Sequence, residues 1–186
     1  MSDIKRGLKL TLAFMIILGV IYPLTMTGIS TLLFPDKSKG SLLYNKDELI
    51  GSSLIGQKFI DDRWFQGRPS AVDYDASKSG GSNLSMSNPE FKKAVDKNIQ
   101  DFLSKNPTVK KEDIPADIVT ASASGLDPEI TVASAKLQAE RVAKANGMTI
   151  EEINKIIDNN KNGKFLGVFG QERVNVLTLN LELLNK

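Results

Sequence analysis

Histidine and cysteine are both absent from this chain. Without cysteine there can be no disulfide and no thiolate metal site. Without histidine the chain loses the commonest general base, the commonest metal ligand and the usual pH switch. Any catalysis here must use carboxylates, lysine or hydroxyls. A dominant charge is lacking too: 24 Lys and Arg stand against 22 Asp and Glu. Setting aside Lys5, Arg6, Lys9 and Asp3 at the start leaves 21 charges of each sign. The remainder is therefore neutral and carries no electrostatic footprint for nucleic acid. A G-x-x-x-x-G-K-[ST] phosphate loop is also missing.

What is present is one long apolar run. Residues 10–34 carry no charged side chain. As a helix they would extend roughly 37 Å, against a hydrocarbon core of about 30 Å. No later segment is comparable, so the expected organisation is a tail at 1–9, a transmembrane helix at 10–34 and an extracytoplasmic domain at 35–186. A cleaved signal peptide is the alternative. Its apolar core is shorter and ends at a small-residue site, whereas this run ends in Leu32-Leu33-Phe34-Pro35. A buried core helix of this length would show a polar stripe. Orientation follows from the flanks: the tail is net basic, while Lys37, Lys39 and Lys46 are balanced by Asp36, Asp47 and Glu48. That places the N-terminus in the cytoplasm and the domain outside.

Pro23 removes a backbone donor inside the span and predicts a kink. Ala13, Val20, Thr27, Gly28 and Thr31 fall on one helical face. Small residues on one face let another transmembrane helix approach closely.

The rest reads as one α+β domain with about three helices and a small sheet. Residues 41–59 read as short strands and turns. Residues 63–89 form a long irregular segment whose Trp64, Phe65 and Tyr74 argue for packing. Asn88-Pro89 opens a helix with Phe91, Ala94, Val95, Ile99, Phe102 and Leu103 on one side, closed by Asn106-Pro107. Residues 114–121 read as a loop and short strand. A second helix covers 131–146 and stops at Gly147. Thr149 and Glu152 form a capping box for a third, whose buried side is Ile150, Ile153, Ile156 and Ile157. Val174, Val176 and Leu179 to Leu181 predict a closing strand.

Candidate chemistry is thin. Asp158-Asn159-Asn160-Lys161-Asn162-Gly163 matches the first half of a calcium loop, but position 12 is Phe169 instead of Glu. A helix end followed by a glycine turn explains it better. Asp73-Tyr74-Asp75 alternates oxygen ligands, with Leu84 at position 12. Asp61-Asp62 has no facing carboxylate of the kind glycoside hydrolysis needs. Ser2-x-x-Lys5 fits an acyl-enzyme pattern but lies before the span, with no fold to hold it. Ser79-Gly80-Gly81-Ser82-Asn83 is only loosely similar to the nucleotide-contacting signature of transporter ATPases, and a Gly-Ser turn accounts for it.

In combination, short motifs along the whole chain resemble a known family. Tyr22-Pro23-Leu24 with Thr27-Gly28, Leu33-Phe34-Pro35 and Gly40-Ser41-Leu42 lead. Gly51-Ser52, Ile55-Gly56-Gln57, Phe65 with Gly67-Arg68-Pro69-Ser70-Ala71, and Ser79-Gly80-Gly81-Ser82-Asn83 with Ser87-Asn88-Pro89 follow. Then come Pro115-Ala116-Asp117, Val119 to Ser122, Ser124 to Pro128, Gln138 with Arg141-Val142-Ala143, Arg173 to Leu177 and Leu179-Asn180. Their order and spacing are similar to the C subunit of potassium-transporting P-type ATPases, the KdpC family. Ala123 stands where many relatives would carry glycine.

The resemblance implies a non-catalytic accessory subunit of a high-affinity, ATP-driven potassium uptake pump. The implied partners are a channel-like potassium-binding subunit, a P-type ATPase catalytic subunit and a small single-span subunit, all in the lipid bilayer of a bacterial cell membrane. It also implies a proposed effect on the pump's ATP affinity, though no motif here supports an ATP contact, no cofactor is expected, and ATP lies in the cytosol, across the membrane from the expected domain. The Gly67-Arg68-Pro69 and Ser79 to Asn83 loops carry the family pattern without an assigned role. An anchored cell-envelope enzyme or binding protein is the competing class.

Overall fold

The computed structural model describes residues 2–186. A continuous helix of 31 residues, Asp3–Leu33, leads the chain and is long and apolar enough to cross a membrane. It comprises α1 (Asp3–Ile16), a π-helical turn (Ile17–Ile21) and α2 (Tyr22–Leu33), and none of its residues is buried. The π-helical turn lies just before Pro23. Proline offers no N–H to the carbonyl four residues back, and its ring crowds that carbonyl, so a locally widened turn relieves both problems. Thr25, Thr27 and Thr31 bond their hydroxyls to the carbonyls of Ile21, Pro23 and Thr27, each at 2.8 Å. That leaves these polar side chains satisfied within the helix.

A short helix, α3 (Pro35–Ser38), joins the span to a hairpin of β1 (Leu42–Asn45) and β2 (Glu48–Ser52). An irregular stretch follows until α4 (Pro89–Lys105), where the Asn88 side chain accepts from the Glu90 N–H and Pro89 occupies the first turn. Residues 114–121 contain a 3-10 turn (Ala116–Ile118) and no strand. The Asp117 carboxylate explains the difference: it accepts from the Thr131 N–H at 2.7 Å and from the Ser134 hydroxyl at 2.7 Å, so this segment packs by side-chain bonds instead of a ladder.

β3 (Glu129–Thr131) leads directly into α5 (Val132–Asn146), which ends at Gly147 with φ +65°. α6 (Ile150–Asn159) starts with both halves of the capping box formed. Its Ile153, Ile156 and Ile157 are buried, whereas Ile150, at the first helical position, is 43% exposed. β4 (Lys161–Asn162) and β5 (Arg173–Asn175) complete an antiparallel sheet in the order β3-β5-β4.

The expected closing strand is only three residues long. From Val176 the chain becomes α7 (Val176–Leu184), because the Asn175 side chain caps it by accepting from the Thr178 N–H. Val176, Leu177, Leu179 and Leu183 are buried on this helix. Their spacing fits one helical face as well as it fits a fully buried strand, and Asn175 selects the helix. The class is α+β behind one apolar N-terminal helix. The core lies among the small sheet, α5, α6 and α7, with Ile130, Val142, Ile157, Val174 and Leu179 each no more than 2% exposed.

Candidate functional site

Two polar assemblies, the first largely buried and the second half-buried, organise the irregular stretch between β2 and α4. In the first, helices hold an extended segment through side-chain amides. Asn180 on α7 accepts from the Phe65 N–H at 2.8 Å and donates to the Phe65 carbonyl at 3.0 Å. Gln138 on α5 accepts from the Gln66 N–H at 2.8 Å and donates to the Gln66 carbonyl at 3.1 Å. Each amide thus supplies the donor and acceptor that a neighbouring strand would supply. Arg141, one turn beyond Gln138, donates to the carbonyls of Asp62 and Trp64, to Gln138 and to Asn106. Burial lowers the Arg141 pKa, against the opposing pull of Asp62 and Asp61. The result is that Phe65 is fully buried with its backbone satisfied.

In the second assembly, residues 67–81 interlock with residues 122–127. Arg68 pairs with Asp127 at 3.0 Å. The Tyr74 hydroxyl donates to the Arg68 carbonyl. Ser70 is the hub: its hydroxyl donates to the Gly125 carbonyl at 2.6 Å and accepts from the N–H groups of Val72 and Tyr74. Gly125, at φ +69°, leaves no room for a side chain, since a Cβ would lie 2.5 Å from Val72 and 2.7 Å from the Gly80 carbonyl. Burial, reinforced by the Asp127 carboxylate, pushes the Tyr74 hydroxyl up to about 12, with Arg68 acting in the opposite direction.

The motif residues find their places within this interlock. Pro69 accepts from the Ser122 N–H at 3.1 Å, and Gly67 lies against the Tyr74 hydroxyl, where a Cβ would come within 2.9 Å. The Gly80 N–H donates to the Ser124 carbonyl at 2.8 Å, and the Ser79 hydroxyl donates to the same oxygen at 3.1 Å. A Cβ on Gly81 would meet the Ala123 carbonyl at 2.9 Å. Ser82 and Asn83 are exposed, with Asn83 at φ +53°. The Gly80 N–H and the Ser79 hydroxyl are therefore engaged in loop packing.

The interlock and α4 enclose an open cleft of about 400 Å³. Its charges are largely matched, Lys58 to Asp73 at 2.5 Å and Lys97 to Asp101 at 2.6 Å. Arg68 Nε, on its wall, is buried without a hydrogen-bond partner. Among the described residues no three carboxylates converge on a metal-sized site. The calcium-like segment is the end of α6 and the start of β4, and Asp158 pairs with Lys136 at 3.5 Å. On the span, Ala13 lies before the π-helical turn, Val20 within it, and Thr27, Gly28 and Thr31 beyond it; nothing lies within 4 Å of a Cβ built on Gly28.

Gln138, Arg141, Asn180 and Asp127 were legible as motif residues but not as a clasp and an ion pair. The available signal was chemical: an amide and a guanidinium three residues apart on an otherwise apolar helix face must find buried partners.

The fold is that of an α+β domain with packed loops behind one N-terminal helix long and apolar enough to cross a membrane, the class of a single-span membrane protein. The chain matches the family described as KdpC: K+-transporting ATPase, c chain, over residues 4–185, and it belongs to that family. It is 58% identical over 185 residues to the potassium-transporting ATPase KdpC subunit of Caldanaerobacter subterraneus subsp. tengcongensis, covering 100% of this chain and 96% of that one. The subunits of the same name from Bacillus cereus and Bacillus thuringiensis are 46% and 45% identical, over 98% and 95% of this chain and 95% and 92% of theirs.

Proposed function

We propose that the chain is the membrane-anchored accessory subunit of an ATP-driven potassium uptake pump. It assembles there with a channel-like potassium-binding subunit, a P-type ATPase catalytic subunit and a small single-span subunit. The observation that carries this is the family match, which runs through span and domain together. The role is accessory and non-catalytic. Support for assembly comes from the span, whose Thr27, Gly28 and Thr31 offer a small face to a neighbouring helix. The basic tail supports a cytoplasmic N-terminus and an external domain. In that orientation the domain and cytosolic ATP lie on opposite sides, so any effect on the pump's ATP affinity passes through subunit contacts.

The deciding experiment is purification of the tagged full chain from its native membrane. Co-purification of two larger membrane subunits, and failure of cells lacking the chain to grow at limiting potassium but not at plentiful potassium, is the expected result. Gly28→Leu should weaken the association, while Ile29→Phe, on the opposite face, should not. A cysteine at Ser104 should react with an impermeant thiol reagent from outside intact cells. A hydrolase activity of the purified chain, abolished by changing one of its own residues, would overturn the reading in favour of an anchored enzyme.

A further inference from the structure

Between β4 and β5 the chain projects a tip that the domain does not cover. Phe165, Leu166, Val168 and Phe169 are 71%, 76%, 74% and 64% exposed. Such a cluster of large apolar side chains marks an interaction site. We propose that this tip inserts into the headgroup–acyl boundary of the membrane that the span crosses. The proposal rests on the span reading and goes beyond the accessory role.

Three observations select lipid as the occupant. First, the turn pairs four of its backbone N–H groups internally: Phe165 and Phe169 exchange N–H to carbonyl bonds at 2.8 and 2.9 Å, and the N–H groups of Gly167 and Val168 donate to Lys164 and Phe165. Apolar surroundings penalise unpaired N–H groups, and these four are paired. Second, Lys161 and Lys164 lie just before the tip, the first carboxylate after it is Glu172, and among the described residues neither lysine has an ion-pair partner. Exposed lysines beside apolar side chains match anionic headgroups above acyl chains. Third, the tip is tethered near the foot of the span. The Ser41 N–H donates to the Asp36 carbonyl, the Ser53 N–H to the Ser41 carbonyl, and the Asn175 side chain to the Ser53 carbonyl, at 2.9, 3.0 and 2.7 Å. Gly170, at the edge of the tip, is at most roughly 17 Å of extended chain from Asn175.

The native chain lacks cysteine, so single labels are clean. An environment-sensitive dye is placed on a cysteine at Val168, at Ser104 or at Leu32 of the full chain. Each protein is reconstituted into vesicles of phosphatidylcholine and phosphatidylglycerol with brominated acyl chains. Bromine should quench the Val168 label about threefold more than the Ser104 label, and the Leu32 label throughout. Omitting phosphatidylglycerol should weaken quenching at Val168, and Lys161→Gln with Lys164→Gln should abolish that lipid dependence. Equal quenching at Val168 and Ser104, with Leu32 quenched, overturns the proposal while leaving the anchor intact. Loss of quenching at Leu32 overturns the anchor and the proposal together. A Val168 label shielded from aqueous iodide but untouched by bromine assigns the tip to a protein groove instead, and also overturns it.

Discussion

The stretch 53–88 and the stretch 163–172 are both irregular, and both carry aromatic residues, yet their fates are opposite. The first is fixed. Phe65 is fully buried, and its backbone and that of Gln66 are bonded to Asn180 and Gln138. The second is exposed throughout, and the backbone bonds of Phe165 to Phe169 are confined to its own turn. The difference teaches that irregular chain joins a core only where the surrounding helices supply polar partners for its backbone. Apolar side chains alone do not suffice, because burying an unpaired N–H or carbonyl costs about as much as one apolar side chain gains. Asn180, Gln138 and Arg141 meet that requirement for Phe65, and among the described residues no side chain bonds the backbone of Phe165 or Phe169.

The strongest way to break the comparison is to remove the clasp. Arg141→Ala would leave the carbonyls of Asp62 and Trp64 and the Asn106 and Gln138 side chains without their shared donor. A loss of at least roughly 3 kcal/mol is expected, since several buried acceptors lose their donor at about 1–3 kcal/mol each. Denaturant unfolding of the full chain in detergent, followed through Trp64 fluorescence, measures it. A loss below about 1 kcal/mol would show that apolar packing holds the stretch by itself.

A sharper probe titrates the interlock. The Tyr74 pKa is raised to about 12, so the folded state keeps a proton that the unfolded chain releases near 10. Its contribution is intact below pH 10 and lost as the pH rises from about 10 to 12, on the order of 2 kcal/mol. Tyr74→Phe should remove that part of the alkaline decline, read as the difference between the two unfolding profiles. Identical slopes in both proteins would mean that Tyr74 titrates as in the unfolded chain.

The smallest effect belongs to the tip. Phe165→Ser with Phe169→Ser should change unfolding stability by less than about 0.5 kcal/mol, as for other exposed sites. A larger loss would place these rings in the core and erase the contrast between the two stretches.

The sequence by itself determined the span, the α+β class and the starts of α4, α5 and α6. An uninterrupted apolar run, Asn88-Pro89 and the Thr149 and Glu152 pair act over a few residues, so local chemistry suffices to read them. The order of motifs likewise carried the family, since it needs no coordinates. Tertiary structure alone decided the rest. Val176 to Leu183 became a helix because Asn175 caps it, while residues 114–121 gave up a strand to let Asp117 bond to Thr131 and Ser134. Gly67, Arg68 and Ser79 to Gly81 became parts of an interlock only when residues 122–127 closed over them. Asn180 lies 115 positions from Phe65. A bond across that separation leaves no periodicity in the sequence, because its partner is a backbone amide that every residue type except proline carries equally.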